Sequence, residues 1–173
     1  MSVQQPDMSQ RFEISAALAA PPDEVFAHVD DPLHLAAHMA KPSWAMAGGQ
    51  MQLRLDEGAG RKPGSHIRMG GRVLGLRLAL DEVIVERHPP LRKVWETVGA
   101  PNLLVIGSYR MGFDIAPQGS GSLLRVFIEY ALAEGFSGRW LGRLFGRIYA
   151  RWCSERMASD AARHFQAHGK EKR

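Results

Sequence analysis

Residues 138–167 read GRWLGRLFGRIYARWCSERMASDAARHFQA, a stretch without proline whose apolar spacing is helical. Leu141, Leu144, Phe145, Ile148 and Trp152 recur at steps of three and four and fall on one side of an α-helix. Arg139, Arg143, Arg147 and Arg151 lie nearly opposite, so the first half is amphipathic and is predicted to lie along a sheet. At 1.5 Å per residue the helix spans roughly 40 Å. In the second half Met157, Ala161 and Phe165 fall on another side, so a bend or a change of contacts is expected near Glu155.

Everything before this helix reads as strands, with two short interruptions. Residues 11–18 alternate, with Phe12, Ile14, Ala16 and Leu18 on one face. Pro21-Pro22-Asp23-Glu24 opens a short helix to about Val29, and Asp31-Pro32 opens a second over 33–39. A hairpin is predicted from 51–55 and 66–70. A long strand follows, in which Leu74, Leu76, Leu78 and Leu80 share a parity that the run 83–85 breaks, as a β-bulge would. His88-Pro89-Pro90 turns into a strand over 93–98. Residues 103–115 and 124–132 form the last pair around Gln118-Gly119-Ser120-Gly121. The order is strand, two short helices, six antiparallel strands and one long helix, an α+β arrangement of about seven strands. Only the last helix is long enough to cover the concave face of such a sheet.

The chain has 173 residues, 45% of them hydrophobic, which suits one core better than two. Residues 1–10 are predicted to be a loose tail and 11–168 the domain. One cysteine, Cys153, and a polar opening MSVQQPDMSQ lead to the expectation of a reducing cytoplasm, and no apolar run approaches a bilayer span. The net charge of +4 is spread over strands and helix without interleaved aromatics, so nucleic acid is not an expected partner.

The opening FEISAALAAPPDEVFAHVDDPLHLAAHM, the strand PPLRKVWETVG, the hairpin GSYRMGFDIAPQGSGSLLRVFIEYAL and the helix WLGRLFGRIYARW together resemble the START-like superfamily of polyketide cyclases and dehydrases, lipid-transfer domains and other helix-grip proteins. The resemblance runs from about Phe12 to Phe165 and lies in order and spacing, without a catalytic signature. It implies a cavity between sheet and helix that takes a lipid, a polyketide-like molecule or another hydrophobic ligand. It implies no cofactor.

Residues expected to line that cavity are Trp44, Trp95, Tyr109, Met111, Phe113 and Tyr130, with Leu141, Leu144, Phe145 and Ile148 from the helix. For each, plain core packing is the competing reading. Glu96 and Tyr109 are the candidates for acid–base chemistry. If Val94 and Val98 face inward, Glu96 becomes a carboxyl in an apolar setting; if Trp95 does, Glu96 is a solvated charge. Parity leaves both open. Gly138, Gly142 and Gly146 either make room for a ligand or let a strand approach. Arg68 and Arg110 are expected to face outward, and burial is expected to leave Cys153 inert. His34 with His38, and His164 with His168, have a spacing that can hold a metal, but no accompanying motif; no metal site is expected.

Three functions are carried forward: noncovalent binding of a small hydrophobic ligand, a cyclase or dehydrase type of enzyme using the same cavity, and a membrane-associated lipid carrier or adaptor using the arginine stripe. A solvated outer helix face is preferred over a membrane contact for that stripe. Nothing in the sequence sets an oligomeric state.

Overall fold

Alternation of apolar and polar residues builds one antiparallel sheet in the order β1-β7-β6-β5-β4-β3-β2. The computed structural model describes residues 8–35, 50–73, 76–99, 101, 106–132 and 145–171. The strands are β1 (Gln10–Leu18), β2 (Gln50–Leu55), β3 (His66–Val73), β4 (Leu76–His88), β5 (Arg92–Thr97), β6 (Ile106–Gln118) and β7 (Gly121–Leu132). The helices are α1 (Pro22–Val29), α2 (Pro32–Leu35) and α3 (Arg147–Glu171). The sheet is curved, and α3 packs against its β1 and β7 side and against α1. The part of the second short helix expected beyond Leu35 lies outside the described residues.

The expected bulge in β4 is present, as a shift of register between Ile84 and Glu86. Up to that point Leu78, Leu80, Glu82 and Ile84 are all buried at one parity. On β6 Tyr109, Met111, Phe113 and Ile115 are buried at one parity, and on β7 Leu124, Val126, Ile128 and Tyr130. These faces form the core with Val25, Phe26 and Val29 of α1. Phe26 meets Phe113 edge-on, with ring centroids 5.7 Å apart.

On the opposite face Val94, Gly112 and Phe127 are also buried. Phe127 is covered by the guanidinium groups of Arg11 and Arg92, 5.2 and 5.5 Å from its ring centroid. Its cross-strand partner is Gly112, where an added Cβ would stand 2.6 Å from the carbonyl oxygen of Lys93 and 2.8 Å from the Phe127 ring. At Gly121, which starts β7, a Cβ would stand 2.2 Å from the backbone oxygen of Leu18. Neither neighbour is a flexible chain end that could swing away. Gly121→Ala is therefore expected to destabilise the fold by about 3 kcal/mol, the upper end of overpacking costs, as read from urea unfolding.

The described face of α3 departs from the sequence reading. Its buried residues are Ala150, Cys153, Ser154, Met157, Ala158, Ala161 and Phe165, one continuous stripe. Among the described residues the face does not rotate near Glu155, because Phe145 and Ile148 are not on it: they are 43% and 51% exposed. A helix that must lie close to β1 and β7 presents alanines to them. Choosing the largest apolar side chains selects the wrong sector.

Two polar groupings fix the helices, the first tying the end of α1 to β4 and β5. The Asp30 carboxylate, at the C-terminal end of α1, takes the Lys93 ammonium at 2.8 Å and Arg87 at 2.8 Å, and the Asp30 carbonyl accepts from Lys93 at 2.7 Å. Lys93 is 0% exposed. The second is a stack of imidazoles: His28 of α1 lies 4.5 Å from His34 of α2 and 4.0 Å from His164 of α3, centroid to centroid.

Burial first, and then the charges of His164 and His34, push His28 down to about 4, so it is neutral in the fold. Unfolded, it takes up a proton below about pH 6.5. Its contribution to stability is therefore complete above that value and is lost as pH falls toward 4. Between about pH 7 and 5 the unfolding midpoint of His28→Gln is expected to fall less steeply than that of the parent chain.

Candidate functional site

A carboxyl group stands among the aromatic side chains of the inner face. Glu82 continues the inward parity of Leu78 and Leu80 and is 4% exposed. The Tyr109 hydroxyl, on β6, donates to its Oε1, and the Trp95 indole, on β5, donates to the same carboxyl group. Three neighbouring strands thus converge on one group. Tyr109 is held in turn by Thr97, whose Oγ1 accepts the Tyr109 backbone N–H at 3.1 Å. Trp95 packs edge-on to Phe113 with centroids 6.4 Å apart.

From the other side α3 brings Tyr149 and Cys153, which are hydrogen-bonded to each other one turn apart and lie in the electrostatic field of Glu82. Burial pushes the Cys153 thiol up to about 12, against the hydrogen bond from Tyr149, so it is no nucleophile. Tyr109 is raised well above the usual phenol range by burial and by the nearby Glu82 charge. Burial likewise pushes the Glu82 carboxyl up to about 7, although the Tyr109 and Trp95 hydrogen bonds and the more distant Lys93 charge favour its ionised form. It is the described carboxyl poised to exchange a proton near neutral pH.

Of the residues expected at the cavity, Trp95, Tyr109, Met111, Phe113 and Tyr130 are buried together in the core. Phe145 and Ile148 point to solvent and are withdrawn from the lining. Trp44, Leu141 and Leu144 lie outside the described residues, as do Gly138 and Gly142. The alternative left open at β5 resolves toward Trp95: it is buried in the core, and Glu96 is partly exposed on the other face, opposite Arg110 in the register. Glu96 is therefore not the carboxyl in an apolar setting; Glu82 is. The signal for it was the parity of Leu76, Leu78 and Leu80, carried one step further.

Arg68 and Arg110 do face outward, paired with Asp81 and Glu86. Arg147 is exposed and Arg151 pairs with Glu155. Among the described residues no group of three His, Cys, Asp or Glu side chains is placed to hold a metal, and no helix is long and apolar enough to cross a membrane. A groove of about 370 Å³ opens at one end of the sheet, lined by His88, Leu91, Arg92, Asp114, Leu123 and Arg125 among others. Its arginines are engaged, Arg92 with Glu86 and Asp114 and Arg125 with Glu13. It is separate from Glu82.

No curated protein matches the chain in a sequence search. Solved structures do match in shape. A protein of Thermus thermophilus, TTHA0849, superposes with a TM-score of 0.66 over 92% of this chain and 99% of its own at 14% identity. The ZhuI aromatase/cyclase of Streptomyces sp. R1128 gives 0.66 over 91% and 93% at 11% identity. The di-domain aromatase/cyclase StfQ of the steffimycin biosynthetic pathway gives 0.64 over 92% of this chain and 51% of its own, at 14% identity. Likeness at these identities establishes the helix-grip fold and no more. The family described as polyketide cyclase / dehydrase and lipid transport matches residues 9–165. With that match spanning most of its length, the chain belongs to the polyketide cyclase/dehydrase and lipid transport family.

Proposed function

We propose that this protein binds a small, mostly apolar molecule between the inner face of the sheet and α3, with Glu82 and Tyr109 as its polar anchor. The observation that carries the reading is the placement of one hydrogen-bonded carboxyl group among Trp95, Tyr109, Met111, Phe113 and Tyr130, in a family of cyclases, dehydrases and lipid carriers. A carboxyl that served packing alone would be replaced without loss by an apolar side chain. Apolar burial would contribute roughly 25 cal/mol per Å² of ligand surface, and Glu82 would orient it. The test is native mass spectrometry on gently purified protein followed by denaturing extraction. A stoichiometric hydrophobic adduct that is lost in Glu82→Gln supports the reading; an adduct indifferent to Glu82 removes the anchor.

The second reading is an enzyme of the cyclase or dehydrase kind. It is favoured by a buried carboxyl poised near neutral pH beside a tyrosine hydroxyl, the pairing that general acid–base catalysis needs. With a polyketide-like substrate, Glu82→Gln is then expected to lower turnover by roughly a hundredfold or more while leaving binding measurable. Equal loss of binding and turnover would return the protein to the first reading.

A further inference from the structure

The two acids buried among the described residues are held differently. Asp30 receives two cations, Lys93 and Arg87, each within 2.8 Å. Glu82, as deeply buried, forms no ion pair among the described residues, and its nearest partners are neutral: the Tyr109 hydroxyl and the Trp95 indole. Both donate. They stabilise the anion, but neither carries a positive charge to balance it. Among the described residues the remaining groups facing Glu82 are Tyr149 and Cys153 of α3, Lys93 farther along β5 and Asp81 next to it on β4. None supplies a positive charge in contact. The indole N–H and the phenol O–H are the parts of those rings that meet the carboxyl.

Resting on the ligand-binding reading above, we infer that the site selects an amphipathic amine, whose ammonium group supplies the counter-charge that the fold withholds from Glu82. The apolar part of such a ligand lies along Met111, Phe113 and Tyr130, and its ammonium donates to the carboxylate between Trp95 and Tyr109. Because the pair forms only with the ionised acid, binding near neutral pH releases protons from Glu82.

The test compares phenylpropylamine with phenylpropanol, its neutral counterpart, by calorimetric titration into the full chain. The expected result is a preference for the amine of roughly tenfold or more at about pH 8, shrinking as pH falls through 7, and absent in Glu82→Gln. Titration of the parent chain in two buffers of different ionisation enthalpy adds a readout that needs no variant. The amine should release a fraction of a proton per molecule bound at about pH 7, and the alcohol none. If the alcohol binds and the amine binds no better, or no proton is released, the amine proposal falls and the ligand site stands. If neither binds, both fall.

Discussion

Lys93→Met is expected to cost about 3–5 kcal/mol of stability, because it leaves the Asp30 carboxylate buried beside a single cation. Lys93 is enclosed on every side, and its ammonium group satisfies both the carboxylate and the carbonyl oxygen of the same residue. Burial lowers the Lys93 pKa and the Asp30 contacts oppose that change; the Asp30 carboxylate is held below its ordinary range by Arg87 and Lys93 in spite of burial. Removing one member therefore costs more than the pair is worth against an apolar replacement. The double variant Asp30→Asn/Lys93→Met should accordingly be more stable than the sum of the single losses, and urea unfolding of the four chains measures the coupling. A cost under about 1 kcal/mol for Lys93→Met would mean that the pair is dispensable.

The second large effect is at Glu82 and has the opposite pH sense to that of His28. In the fold the acid keeps its proton up to about pH 7, whereas unfolded it ionises from about 4.5. Its contribution to stability is full below the lower value and is lost as pH rises through the higher one. The difference corresponds to about 3 kcal/mol. Glu82→Gln has nothing to ionise, so from about pH 4 to 9 the variant should gain about that much relative to the parent chain. Any cost of the unpaired amide N–H groups is constant across that range and does not enter the slope. Parallel stability curves for the two proteins would show that Glu82 is not buried as a neutral acid.

The parities of β1, β6 and β7 are legible in the sequence because each strand has one wet face, and a period of two then records which side chains turn inward. The bulge in β4 is legible for the same reason: it interrupts that period. Glu82 escapes such a reading because hydrophobicity is its criterion for facing inward, and a charged residue at an inward parity looks like the end of the pattern. The α3 face is misread through the converse error, since close packing on a sheet favours alanine over phenylalanine and isoleucine. The Lys93–Asp30–Arg87 group and the histidine stack join residues far apart in sequence, so no local spacing could report them.

The sheet order also sets when the fold can be completed. β1 is the first of the described strands to be made, and among them it pairs with β7 alone, with Gln10 opposite Tyr130 and Leu18 opposite Ser122. During synthesis, Phe12, Ile14 and Ala16 must therefore wait, unpaired, until almost the whole sheet has left the ribosome. Contacts of such wide sequence separation carry their loop-closure cost before any return and slow folding. The first strand is the segment most exposed to capture by a chaperone or by another nascent chain.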